Sequence, residues 1–268
     1  MLKFIRSFFV LSFICLLLPI SVNSKPKLIS YQSEYEVSLA PSDEVRLPGK
    51  TYVDQASGDL FVDWINNCEN SWVSNQRMMT RFINSHGVGT LSEINYSLNE
   101  IANGSKMDFV LEVKENAELV DRTIGKAERK KKLQVSFPSS DKENLLLPDD
   151  VIFPHSFLVD ILKNLYGTEK IITKKVYEGT IPDKFFNISV FFTDKIANVS
   201  DEIIIDGVIN KFKKIRMSYY QGDSQTPIFE QTVHLNEQGV ASFFRYDYPE
   251  YSLELKLKKI SLVNLNCN

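Results

Sequence analysis

The sequence predicts a mainly β fold, an antiparallel meander closed or nearly closed as a barrel or a curled sheet. Three observations carry this reading. Apolar and polar residues alternate with a period of two in run after run, turn signals fall between the runs, and a single helical stretch interrupts them. Such alternation marks strands with one face buried and the other wet, the habit of antiparallel sheet.

The opening run sets Tyr31, Tyr35, Val37 and Leu39 against Gln32, Glu34, Glu36 and Ser38. Met107, Phe109, Leu111 and Val113 then alternate with Asp108 and Glu112, and Leu133, Val135 and Phe137 with Gln134 and Ser136. Farther on, Phe186, Ile188, Val190 and Phe192 share a face, as do Ile215, Met217 and Tyr219. Phe229, Val233 and Leu235 follow, then Val240, Phe244, Tyr246 and Tyr248, and last Leu253, Leu255 and Leu257. Turns are predicted at Ser57-Gly58-Asp59, Asn103-Gly104, Gln221-Gly222-Asp223 and Glu237-Gln238-Gly239. The helix is predicted from Pro154, a first-turn residue, with Phe157, Leu158, Ile161, Leu162 and Leu165 on one face and Gly167 as the stop. It is expected to pack on the concave face of the sheet. The stretch from Leu145 to Pro154 reads as a crossover between two halves, with no Pro/Ser linker to divide the chain into domains.

Residues 1–24 read as a cleavable export signal, leaving residues 25–268 as a single domain. Lys3 and Arg6 supply the positive start, Phe8 to Ile20 the apolar core, and Val22-Asn23-Ser24 the small residues before the cut. The apolar run ends short of the roughly 20 residues that a spanning helix needs. A lipid-anchor role for Cys15 is disfavoured by Ile14 before it and by Leu16-Leu17-Leu18 after it. Removing the signal takes away two basic residues and no acid, so the formal charge of −3 becomes −5. That mild acidity excludes nucleic acid as the main partner.

Chemistry is absent at the level of motifs. The chain has no His-Glu-x-x-His, no Gly-x-Ser-x-Gly, no P-loop and no dinucleotide fingerprint. His86, His155 and His234 share no metal-ligand spacing, and Gly87-Val88-Gly89 is a lone turn. The expectation is therefore a protein with no catalytic residue, no metal and no cofactor. The strongest local charge feature is Lys126, Arg129, Lys130, Lys131 and Lys132. It reads first as a solvated hairpin end that blunts a strand edge, and second as a contact for anionic headgroups or an acidic partner. With Cys15 removed, Cys68 and Cys267 remain, an even pair of the kind read as a disulfide in an exported chain. Two unrelated buried thiols are the other reading. Eighteen Phe and eleven Tyr either fill a core or line a lipid-sized cavity, according to whether the sheet closes.

The order of these features resembles the EipB-like periplasmic cell-envelope integrity proteins of Gram-negative bacteria, long carried as a domain of unknown function. The resemblance begins at Tyr31–Leu39 and runs through Ser57-Gly58-Asp59-Leu60-Phe61-Val62 to Cys68 and Trp72. It continues in Leu147-Pro148-Asp149-Asp150-Val151-Ile152-Phe153-Pro154, Val176-Tyr177-Glu178-Gly179 and Ile215–Tyr220. Thr226-Pro227-Ile228-Phe229-Glu230, Asn236-Glu237-Gln238-Gly239-Val240, Asp247-Tyr248 and Cys267 complete it. It implies a curled, spiral-like antiparallel sheet, an open barrel with one or two short helices on its concave face. It also implies a Cys68–Cys267 disulfide and a non-enzymatic monomer in the periplasm, not integral to the membrane once the signal is cut. Such a protein supports the envelope by binding a periplasmic protein, such as a repeat protein, or an envelope component. A carrier of lipid or lipoprotein acyl chains in an apolar groove is the neighbouring reading. His155 departs from the family pattern, and no site is carried over to it.

Overall fold

The computed structural model describes residues 27–41, 47, 49–138, 143–197, 207–222 and 224–265. The elements are β1 (Tyr31–Leu39), β2 (Val53–Asn67), β3 (Ser71–Asn84), β4 (Gly89–Ile101), β5 (Lys106–Glu115) and β6 (Glu118–Arg129). They continue with β7 (Leu133–Ser136), β8 (Leu145–Leu147), β9 (Val151–Ile152), α1 (Pro154–Asn164) and β10 (Ile171–Val176). The chain then forms β11 (Phe186–Ala197), β12 (Phe212–Gln221), β13 (Phe229–Leu235), β14 (Ala241–Asp247) and β15 (Ser252–Leu262).

All fifteen strands belong to one sheet, ordered β8-β7-β6-β5-β4-β3-β2-β1-β15-β14-β13-β12-β11-β10-β9. Every neighbouring pair is antiparallel except β9 with β10. The sheet is a meander with β1 near its middle, holding β15 on one side and β2 on the other. It curls into a nearly closed barrel with a seam, and β8 and β9 at its two ends are successive pieces of one segment. The predicted crossover at Leu145–Pro154 is thus the seam itself.

The predicted strands are present, because their alternation reports a face turned inward: β1 buries Tyr31, Ser33, Tyr35 and Val37 in strict alternation. Strands β2, β3, β4, β6 and β10 carry no such signal, since part of their length leaves both faces exposed or half-exposed. The predicted turn at Ser57-Gly58-Asp59 is corrected by the structure. These residues continue β2, with Gly58 opposite Val37 and Thr80. Glycine is required there by proximity, since a Cβ would lie 1.9 Å from the Met79 carbonyl oxygen. The turns at Gly104, Gly222 and Gly239 stand as predicted, each with positive φ.

Helix α1 lies against the barrel interior through Phe157, Ile161, Leu162 and the neighbouring Leu165, packing on residues of β11 to β14. Its N-cap, Phe153, has no capping side chain. Glu100 at the end of β4 takes that role. Its carboxylate accepts the His155 N–H at 2.6 Å, the Ser156 N–H at 3.0 Å and the Ser156 hydroxyl at 2.6 Å. With Pro154 lacking an N–H, the first free donors of the helix are thereby met by an acid, the charge its N-terminus favours.

Two contacts draw the sheet's ends together. Arg129, at the end of β6, donates to the carbonyl oxygens of Asp149, within the β8–β9 connection, and Val151, the first residue of β9. Phe109 of β5 is almost fully buried and fills the space over Gly125 of β6 and Gly179 beyond β10. A Cβ at either glycine would come within 2.5 Å of its ring. Phe109→Ala is expected to cost about 3–5 kcal/mol in a urea titration, the range for removing a buried phenylalanine. Arg129→Ala, which leaves two carbonyls without their charged donor, should cost about 1–3 kcal/mol. Unchanged midpoints would show that the seam does not depend on these contacts.

Candidate functional site: an apolar cavity with a buried carboxylate

Between α1 and the concave face lies a cavity of about 310 Å³. Phe157, Leu158 and Ile161 of the helix form one wall, and inward residues of β12 and β13, among them Met217 and Val233, form another. The walls are mainly apolar and aromatic. Gln76, Glu178, Thr180 and Gln231 interrupt them, and no lysine, arginine or histidine is present in the lining. This volume falls at the lower end of the roughly 300–1,000 Å³ typical of small-molecule pockets.

The polar groups differ in how they are satisfied. The Tyr35 hydroxyl donates to the Ala241 carbonyl at 2.8 Å, and Tyr219 donates to Gln231 Oε1 at 3.1 Å. Tyr96 donates to the backbone oxygen of Glu178, which joins β4 to the segment beyond β10. By contrast, no hydrogen bond or ion pair among the described residues reaches the Glu178 carboxylate. Burial raises its pKa to about 7. Its side chain keeps accessible surface although protein encloses it, so the surface it keeps faces the cavity. The phenols of Tyr96, Tyr219 and Tyr246 share its field: desolvation raises all three pKa values first, the nearby acid comes next for Tyr96 and Tyr219, and for Tyr246 it follows Tyr248.

An aromatic run leads outward from this point. Tyr219 stacks on Phe229 at 4.1 Å between centroids, and Phe229 meets Tyr246 and Tyr248 at 6.4 and 5.6 Å. Tyr248 in turn lies 5.2 Å from Tyr251 and is 37% exposed. The run therefore connects the cavity wall with solvent.

A second buried acid lies at the N-terminus of the helix. Glu100 is fully buried, and desolvation raises its pKa to about 7 against the hydrogen bonds from Ser156 and the His155 backbone. His155 stacks on Trp72 at 5.3 Å and on Trp64 at 6.3 Å. Burial lowers its pKa to about 4, and its Nδ1 has no hydrogen-bond partner. Sequence reasoning assigned no role to Glu100 or His155, since their partners are 55 residues apart in the chain. Glu178 carried one faint signal: an acid set between Val176-Tyr177 and a glycine.

The residues singled out by sequence lie elsewhere. Cys68 is in the turn between β2 and β3 and is engaged rather than free. Cys267, Cys15 and the predicted signal lie outside the described residues. Lys130, Lys131 and Lys132 form the exposed β6–β7 hairpin end and Lys126 is exposed nearby, while Arg129 turns to the seam. Lys130 also pairs with Glu128 at 3.0 Å. Among the described residues no group of three His, Cys, Asp or Glu is placed to hold a metal, and no helix is long and apolar enough to cross a membrane.

A curled antiparallel sheet, nearly closed around one helix and an apolar hollow, makes this a β-barrel-like protein. The sequence matches the EipB-like family over residues 22–264, and the chain belongs to that family. Among solved structures, its fold is similar to a beta-barrel-like protein of a domain of unknown function from Brucella abortus. That likeness covers 89% of this chain and 99% of the other at 19% identity, with a TM-score of 0.79. No curated protein matches the sequence.

The two titratable neighbours at the helix start impose opposite pH dependences. Between about 4.5 and 7 folded Glu100 holds a proton that the unfolded chain has released, so its contribution is present at low pH and lost as pH rises through about 7. Folded His155 refuses a proton between 6.5 and about 4, so its contribution is lost as pH falls across that interval. Glu178 acts in the same direction as Glu100. Two acids outweigh one histidine, so the urea midpoint of the protein should decline between about pH 4.5 and 7 and level off above that. In His155→Phe the decline between pH 4.5 and 6.5 should be steeper, because the opposing slope is gone. A midpoint in that variant that is flat from pH 4.5 to 8 would contradict the assignment.

Proposed function

We propose that this chain is a non-enzymatic periplasmic protein, exported by a signal at residues 1–24, that supports cell-envelope integrity by binding. The domain is residues 25–268, acting as a monomer, and its partner is an envelope component or a periplasmic protein such as a repeat protein. Membership of the EipB-like family and the barrel-like fold support this reading. The single observation that carries binding is the largely apolar cavity under α1. The same observation favours the more specific reading, a carrier of a lipid or lipoprotein acyl chain.

The proposed staple is a disulfide between Cys68 and Cys267. Its support is the path of the last described residues. The Val263 N–H donates to the Ser30 carbonyl at 2.9 Å, and the Asn66 N–H donates to the Ser30 hydroxyl at 2.9 Å. The two segments that flank the cysteines thus converge on one residue. The exposed lysines at and near the β6–β7 hairpin end, Lys126, Lys130, Lys131 and Lys132, are the proposed contact for an anionic surface or acidic partner, while Arg129 is spent on the seam.

Three measurements test this. A deletion strain should be more sensitive than its parent to detergents and cell-wall antibiotics, and equal resistance would sink the envelope role. Native mass spectrometry of protein taken from its own periplasm should show a lipid adduct that denaturant releases. Protein carrying only its own mass counts against the carrier reading. Reduction should lower the melting temperature, consistent with the loss of about 2–5 kcal/mol typical of a native disulfide, and an unmoved melt removes the staple.

A further inference from the structure

The cavity has a chemical polarity that an acyl-chain site does not require. Its lining holds one ionisable acid, Glu178, and no basic side chain. The other buried acid of the interior, Glu100, is spent on the helix N-terminus by three hydrogen bonds. Glu178 has no such duty. Its backbone oxygen is taken by Tyr96, while no described group reaches its carboxylate. An acid left so in an apolar wall costs stability unless something positively charged or hydrogen-donating meets it.

The surroundings fit a cation. Tyr96, Tyr219 and Tyr246 are close enough to Glu178 for its charge to act on their hydroxyls. Phe229 stacks on Tyr219 beside them. Ring faces attract cations through their quadrupoles, and aromatic cages with an acid are the usual means of holding ammonium groups. Beyond this polar end the helix face formed by Phe157, Leu158 and Ile161 offers only hydrocarbon.

Taking the cavity as a ligand site, the premise on which this rests, we propose that it selects a cationic amphiphile. The ammonium head pairs with the Glu178 carboxylate among Tyr96, Tyr219 and Tyr246, and a single aliphatic chain lies along α1. Where Glu178 is ionised, above about pH 7, the same acid repels an anionic head such as a fatty carboxylate. No covalent step is involved.

The test is calorimetric titration of the intact, oxidised protein at pH 8 with three ten-carbon probes below their micelle concentrations: decylamine, decanol and decanoate. The amine should bind about tenfold more tightly than the alcohol, and decanoate more weakly than either. In Glu178→Gln, an isosteric change, the amine should lose that advantage while decanol binds as before and the thermal transition stays cooperative. Equal binding of amine and decanoate, or an amine preference that survives in Glu178→Gln, overturns the head-group assignment and leaves the cavity as an acyl site. Failure of all three probes to bind overturns the cavity reading together with it.

Discussion

Closure of the sheet is the constraint on which the rest of this molecule depends. A fifteen-strand sheet has two free edges, each a row of unpaired backbone groups, and here both edges belong to one short segment. Residues 145–147 pair with β7 on one end and residues 151–152 pair with β10 on the other. The Pro148-Asp149-Asp150 link between them is therefore the only part of the described chain that has to bridge the gap. Arg129 holds one carbonyl of this link and the first carbonyl of β9, and Phe109 fills the space beneath with the help of two glycines. Without this seam the concave face would be open to water, α1 would have nothing to close, and the hollow beneath it would not exist.

Closure also explains why two interior acids have opposite fates. Glu100 and Glu178 are both pushed to about pKa 7 by the same cause, removal from water. Glu100 is repaid by the backbone of a helix that lacks its own cap, so it reads as architecture. Glu178 faces the space that closure leaves behind and finds no donor among the described residues. The contrast is informative because each acts as the other's control: burial alone does not strand a carboxylate here, and the position facing the cavity does.

Much of the fold was legible in the sequence, and the reasons are local. Strands that turn one face inward along most of their length, such as β1, β5 and the first half of β15, announce themselves by alternation. The helix was legible from Pro154 and its apolar stripe, and three of the four predicted turns from glycines with positive φ. Where reading failed, the cause was tertiary. Gly58 looks like a turn residue because glycine usually serves a turn, yet here it makes room for the Met79 carbonyl of the next strand. Strands β2, β3 and β4 run past the core, so their exposed portions carry no alternation. Arg129 was grouped with its lysine neighbours by sequence, whereas the seam takes it out of that group.

By itself the sequence determined that the chain is a β meander with one helix, that it belongs among EipB-like proteins, and that no familiar catalytic motif is present. These follow from periodicity, turn chemistry and the order of short segments, all of which are properties of neighbours in the chain. Tertiary structure alone decided that the sheet closes and that a cavity remains under the helix. It also decided that Glu100 caps α1 from a distant strand and that Glu178 lies among tyrosines with no partner for its carboxylate among the described residues. The physical reason is that burial of a charge, and the identity of its partner, depend on residues brought together across the sheet. Nothing in a local pattern of apolar and polar residues distinguishes an acid that faces water from one that faces a hollow.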